Sequence, residues 1–194
     1  MENHNKILLS NKLKTLSIKL QAQDFVKNRI SFHWLKILDS IISSGMRYEI
    51  LNLCNVTEEA YPSIVKAIED LGHPALSSSL VHLGGKDIID DFYTKYPSID
   101  QFKYVVNFPK INLPNQEFHE IINQKEKLPD FKTNPVFFLS PDWSPLIKLD
   151  WNDIIEKGKL VFSDIPLSFI FSDSSFSNIL FKSLEDDWYV VKSS

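Results

Sequence analysis

Cysteine occurs once in this chain, arginine twice and glycine five times. No apolar run reaches the roughly 18 residues that a membrane-spanning helix needs. Each scarcity excludes something. The lone Cys54, between Leu53 and Asn55, rules out an internal disulfide framework and a multi-cysteine zinc site. In its apolar stretch it reads as a small buried hydrophobe. Gly45, Gly72, Gly84, Gly85 and Gly158 fall at breaks between periodic segments, where they read as helix ends or turns. None forms GxGxxG or GxxxxGK[ST], and "LGGKDI" has the wrong spacing to present successive amides to a phosphate, so no nucleotide cofactor is expected. The start, "MENHNKILLSNKLK", has only the short apolar run "ILL" before Ser10 and Asn11. It lacks the apolar core of a signal peptide, which makes the cytoplasm the default location.

Catalytic and metal signatures are missing too. His4, His33, His73, His82 and His119 form no HExxH or HxH pair. A zinc centre would have to recruit three or four ligands from them, with Asp87 or Asp90. "SPDWSPLIKLD" pairs Asp142 with a downstream Lys148, but Leu146 stands where a metal-dependent nuclease needs a second carboxylate. "SSSL" near Ser77–Ser79 is not a nucleophile elbow. Asp87, Asp90 and Asp91 share a helix face but lack the glycine and further oxygens of a calcium loop. The expectation is no catalytic residue, no metal and no cofactor.

What the chain does have is a core. It holds 194 residues, 43% hydrophobic and 12% aromatic, with 14 Phe and 4 Trp. Rings bury much apolar area, so the composition is that of a folded protein. Residues 1–128 read as mainly helical. Leu9, Leu13, Leu16 and Leu20 recur three or four apart, as do Ile30, Trp34, Leu38 and Ile41, the period of a helix face. "VTEEAYPSIVKAIEDLG" is a third helix, starting either at a Thr57 cap or at Pro62. Ile88, Ile89, Phe92 and Tyr96 line a fourth, which must stop before Pro97. "LPNQEFHEIINQKEKLP" gives a fifth with Phe118, Ile121, Ile122 and the Lys125 stem on one side. "MRYEILNLC" is ambiguous, and "QFKYVVNFP" suits a strand.

The texture changes at Pro129. Pro129, Pro135, Pro141 and Pro145 interrupt the chain, and short extended segments follow: "PVFFLS", "PLIKL", "KLVFS", "LSFIFSD", "SNILFKSL" and "WYVVKS". Within them Leu167, Phe169 and Phe171 point one way, Ser168 and Ser172 the other. One short helix, 151–157, is bracketed by an Asp150 cap and Gly158. Glu185 to Asp187 should form an exposed turn into a strand at Trp188–Val191. That strand has no polar face, so both of its sides should be covered. The class is therefore α+β: N-terminal helices packed against a C-terminal, mostly antiparallel sheet, with 1–128 and 129–194 forming one integrated domain.

Charge separates the same halves. Residues 1–128 are balanced, whereas residues 129–194 hold 6 Lys against 8 Asp and 2 Glu, with 12 aromatic side chains. An acidic half repels phosphate, so direct nucleic-acid binding is not expected. It suits a basic protein partner, since complementary charge speeds encounter and aromatics anchor interfaces. The candidate contacts are Asp142, Trp143, Asp150, Trp151, Asp153, Asp186 and Asp187. The bland account of Trp143 and Trp151 is that they close the end of the core. These features suit a non-catalytic binder, such as an inhibitor or an immunity protein against a toxic nuclease. Two alternatives stand beside it. One is a small hydrolase whose Asp and His side chains meet in a pocket, for which a hollow holding at least two of Asp142, Asp150, Asp153, Asp164 and His119 would speak. The other is a structural subunit of an assembly, which a large exposed apolar patch would favour.

Overall fold

The computed structural model describes residues 2–53, 56–84, 88–96, 110–124, 126–129, 131, 135–140 and 144–192, with side chains from residue 5 onward. Cys54, Asp87, Lys125, Asp142, Trp143 and the "QFKYVVNFP" segment lie outside the described residues.

Among the described residues seven helices and eight strands follow in the order α1 (Glu2–Arg29), α2 (Phe32–Ser43), β1 (Tyr48–Leu51), α3 (Tyr61–Asp70), α4 (Pro74–Ser79), β2 (Leu80–Val81), α5 (Ile88–Lys95), β3 (Lys110–Leu113), α6 (Phe118–Asn123), β4 (Val136–Leu139), β5 (Leu146–Leu149), α7 (Trp151–Phe162), β6 (Phe169–Ser172), β7 (Ile179–Lys182) and β8 (Trp188–Val191). The strands make one sheet, ordered β2-β1-β5-β4-β6-β7-β8-β3. Only the β1–β2 pair is parallel. The α+β class holds, with helices mostly N-terminal. Three strands nonetheless come from the helical half: β1 and β2 close one end of the sheet and β3 the other.

Both faces of the sheet are covered. Val136, Phe138, Ile147, Phe169, Phe171, Leu180 and Trp188 face a large cluster with α2, α3, α6 and α7. The alternate residues Phe137, Leu139, Ile170, Ile179, Phe181 and Tyr189 pack with Ile89, Phe92 and Tyr96. Two-sided burial explains why these strands are nearly continuous apolar runs. It also explains β8, where all four residues are buried while Glu185 and Asp186 are exposed. Ser168 and Ser172 do lie opposite Phe169 and Phe171, but they too are buried.

The helix boundaries follow local chemistry. A break at Ile30–Ser31 separates α1 from α2, and Ser31 caps α2 by accepting from the Trp34 backbone N–H at 3.1 Å. Gly45 then takes the left-handed conformation after α2. Pro62, not Thr57, marks the first turn of α3, whose N-cap is Ala60.

Helix α7 corrects two expectations. Asp150 caps it as foreseen, accepting from Asn152 N–H at 2.9 Å. Gly158, however, does not end it: the helix runs on through Phe162, so "KLVFS" is helical, not extended. Gly158 sits where α6 crosses α7. A Cβ there would lie 2.6 Å from Phe118 Cε1. The glycine serves close approach of two helices, not termination.

Helix α1 forms as its leucine period predicts. Its row of Leu9, Leu13, Leu16 and Leu20 is more than half exposed, while Ala22 and Phe25 are buried and Ile18 packs against the core. Among the described residues no helix is long and apolar enough to cross a membrane.

Candidate functional site

Three pieces of chain converge at one end of the sheet. They are the β7–β8 turn, the residues leading into α6, and the end of α7. Between them lies a hollow of about 370 Å³ lined by Asn115, Gln116, Glu117, Phe118, Ser163, Asp164, Lys182, Asp186 and Trp188.

The turn is built by its own backbone. Ser183 N–H donates to Asp187 O at 2.9 Å, and Ser183 Oγ accepts from the N–H groups of Glu185 and Asp187. Asp186 takes a left-handed φ of 60°, which Asp adopts more readily than most residues because its short polar side chain can bond locally. The turn is tied to the neighbouring chain. Trp188 Nε1 donates to Gln116 O at 2.9 Å, and Asp187 Oδ1 accepts from Asn115 N–H. Beyond them, Glu117 Oε2 lies 3.0 Å from His119 Nδ1.

The floor is unusual. Strand alternation points Lys182 the same way as Leu180, into the main core, and it is only 4% exposed. A buried ammonium is costly unless paired. Here Nζ meets Asp186 Oδ1 at 2.7 Å and donates to Ile165 O at 3.2 Å. The Ser163 hydroxyl is shut off from solvent and has no hydrogen-bond partner among the described residues. Glu117, Asp164 and Asp186 thus line the same hollow as Lys182, and of the three Asp186 is the one that pairs with it.

A second hollow, about 330 Å³, lies by the start of α7 and is lined by Arg47, Glu49, Phe131, Lys148, Asp150 and Trp151, among others. Its charges are already matched. Arg47 Nη2 meets Asp150 Oδ2 at 3.0 Å, and Arg47 Nε meets Asp153 Oδ2 at 3.0 Å. Lys157 reaches Asp153 Oδ1 at 3.2 Å, and Lys148 pairs with Glu49 at 2.8 Å. The Arg47 backbone N–H, the largest influence, holds the Asp153 carboxyl down at about 2 against the opposing effect of burial; the Arg47 and Lys157 side chains add to it. The side-chain hydrogen bond from Arg47 Nε to Asp153 raises the Arg47 guanidinium.

These placements redistribute the sequence candidates. Asp186 and Asp187 sit at the first hollow. Asp150 and Asp153 are consumed by Arg47 and Lys157, which leaves little free charge for steering. Trp151 is 6% exposed and packs its ring 4.6 Å from Phe131, so it closes the core and offers no anchor. Asp142 and Trp143 lie outside the described residues. Of the carboxylates and histidine named for a hydrolase, Asp150 lines one hollow and Asp164 the other, and the two are not brought together in either. Among the described residues no three His, Cys, Asp or Glu side chains gather as metal ligands.

Sequence reasoning missed Lys182, Ser163, Glu117 and Arg47. Lys182 left a faint trace: a lysine two residues after Leu180, on the inward register, with an aspartate four residues later. Comparison of the chain with family models, curated proteins and solved structures found no match.

Proposed function

We propose that this protein is a non-catalytic binder of a basic protein, of the inhibitor or immunity type that would suit a toxic nuclease. The observation that supports it is the acidic rim of the first hollow. Glu117, Asp164 and Asp186 line it, Glu185 and Asp187 stand beside Asp186 in the turn, and its one cation among the described residues, Lys182, is buried. A lysine or arginine side chain entering the hollow would meet carboxylates held by a rigid hairpin and helix ends, which lowers the entropy cost of binding.

The test is affinity capture from a native lysate with wild type and with the double variant Glu117→Lys/Asp164→Lys. Neither residue pairs with Lys182, but Glu117 is part of the capping box of α6, so the melting temperature of the variant is measured first and Asp164→Lys alone serves if the double variant is destabilised. Basic proteins retained by wild type should be lost by the variant. With a purified captured protein, the variant should associate at least about tenfold more slowly and with weaker salt dependence. An unchanged captured set and unchanged kinetics would remove the hollow from the interface.

A further inference from the structure

Helix α1 carries two apolar faces. At about 100° per residue, Ile18, Ala22 and Phe25 cluster on one side, and these residues meet the rest of the protein. Leu9, Leu13, Leu16 and Leu20 cluster about 180° away. They are 60%, 58%, 53% and 55% exposed. Because the faces oppose each other, the side that binds the core turns the leucines outward.

The leucine spacing of four, three and four is the 3.5-residue repeat of a helix–helix seam. In that repeat Leu13 and Leu20 take a positions and Leu9 and Leu16 take d positions. Lys6 and Lys27 end the seam, and Lys12 and Lys19 fall at g, beside it. Helix α1 has six basic side chains against two acidic ones, although the whole chain is at −4.

These features select the occupant. A second copy would bring an equally basic helix. Antiparallel pairing would set Lys12 near Lys19 of the other copy, and parallel pairing would set Lys6 and Lys27 against themselves. A membrane-lying helix presents a broad apolar face with large rings, whereas this seam is narrow and has none. We propose that the outward face of α1 is a docking seam for an acidic amphipathic helix of another protein, leucine-rich at its centre and flanked by Glu or Asp. This seam is independent of the hollow: it attracts acid where the hollow attracts base.

The test uses the full chain and two synthetic four-heptad peptides with leucine at a and d. One has glutamate at e and g, the other lysine. Fluorescence anisotropy should give at least tenfold tighter binding of the glutamate peptide. Leu13→Asp/Leu16→Asp should abolish it, with an unchanged melting temperature because both leucines are exposed. Lys12→Glu/Lys19→Glu should reverse the preference to the lysine peptide. Equal binding of both peptides, or of neither, would overturn the proposal. So would dimerisation of the protein alone that Leu13→Asp abolishes in sedimentation, which would make a second copy the occupant. Leucine-dependent binding to phosphatidylglycerol vesicles without binding to the glutamate peptide would assign a membrane surface instead.

Discussion

Replacing Gly158 with alanine pits two known effects against each other. In a helix interior alanine is favoured over glycine by about 1 kcal/mol, so a free α7 would gain from the change. In this fold the new methyl would lie 2.6 Å from Phe118 Cε1, 2.9 Å from Cζ and 3.2 Å from Phe162 Cδ2. Carbon atoms in favourable contact sit at roughly 3.5–4.0 Å. The ring borders the first hollow but is otherwise hemmed in by other rings. Phe118 is 2% exposed, with Phe162 at 5.5 Å, Trp188 at 5.8 Å and Phe171 at 6.2 Å between ring centres. Overpacking of this kind costs about 1–3 kcal/mol, and an overlap approaching 1 Å at two ring atoms belongs toward the upper end. The expected net loss is about 1–2 kcal/mol. Urea unfolding should report it as a midpoint lowered by roughly 0.5–1 M at unchanged slope. In a Phe118→Leu background the obstructing ring is gone, and the same change should become neutral or stabilising by up to about 1 kcal/mol. If Gly158→Ala stabilises the wild-type background, or costs the same in both, the close-approach account fails.

Two further outcomes follow from the buried charges. Asp153 titrates at about 2, below its ordinary value of 3.8, so its contribution is complete above about pH 4 and is lost as pH falls through 2. Asp153→Asn should flatten the acid limb of a stability–pH curve in that window, leaving the smaller slope of Asp173, whose carboxyl is also lowered; an unaltered limb would refute the role of the Arg47 contacts. At Lys182, replacement of the buried ion by methionine should change stability by no more than about 1 kcal/mol, because an apolar isostere carries no desolvation cost. Asp186→Asn, which leaves the ammonium buried without a carboxylate but keeps a residue suited to the left-handed backbone, should cost more in urea unfolding, and the opposite ranking would contradict the pairing at 2.7 Å.

The readable parts of this fold are those where one residue type has one physical use. Asp150 caps α7, Gly45 takes the left-handed position, and the unbroken apolar run at Trp188–Val191 marks a strand buried on both sides. Gly158 was misread because a glycine near a helix end has two uses, and only the neighbour across the crossing decides between them. The leucine row of α1 gave the right element and left its side open, since a helix with two opposed apolar faces reveals its period but not which face meets the core. Of the polar residues lining the candidate hollow, only Asp164 and Asp186 are singled out by the sequence. Lys182, Ser163 and Glu117 come from three separate segments, and no local spacing connects them. The charge total also misled at Asp150 and Asp153, because their countercharge, Arg47, lies in the other half of the chain.

Strand β3 has a consequence for the order of assembly. Among the described residues its strand partner is β8, with Leu113 set against Trp188 and Lys110 against Val191. At the other end β1 lies between β2 and β5, again joining early chain to late. During synthesis neither early strand can reach its antiparallel partner until far more chain has left the ribosome. The β6–β7–β8 meander, by contrast, can zip locally through short turns. β8 must then present a bare edge that is apolar on both sides until β3 covers it. Such an edge recruits other chains when it is exposed. The vulnerable interval in the life of this protein is thus the moment between completion of β8 and capture of β3, and slow capture would appear as aggregation of nascent chains whose finished form is stable.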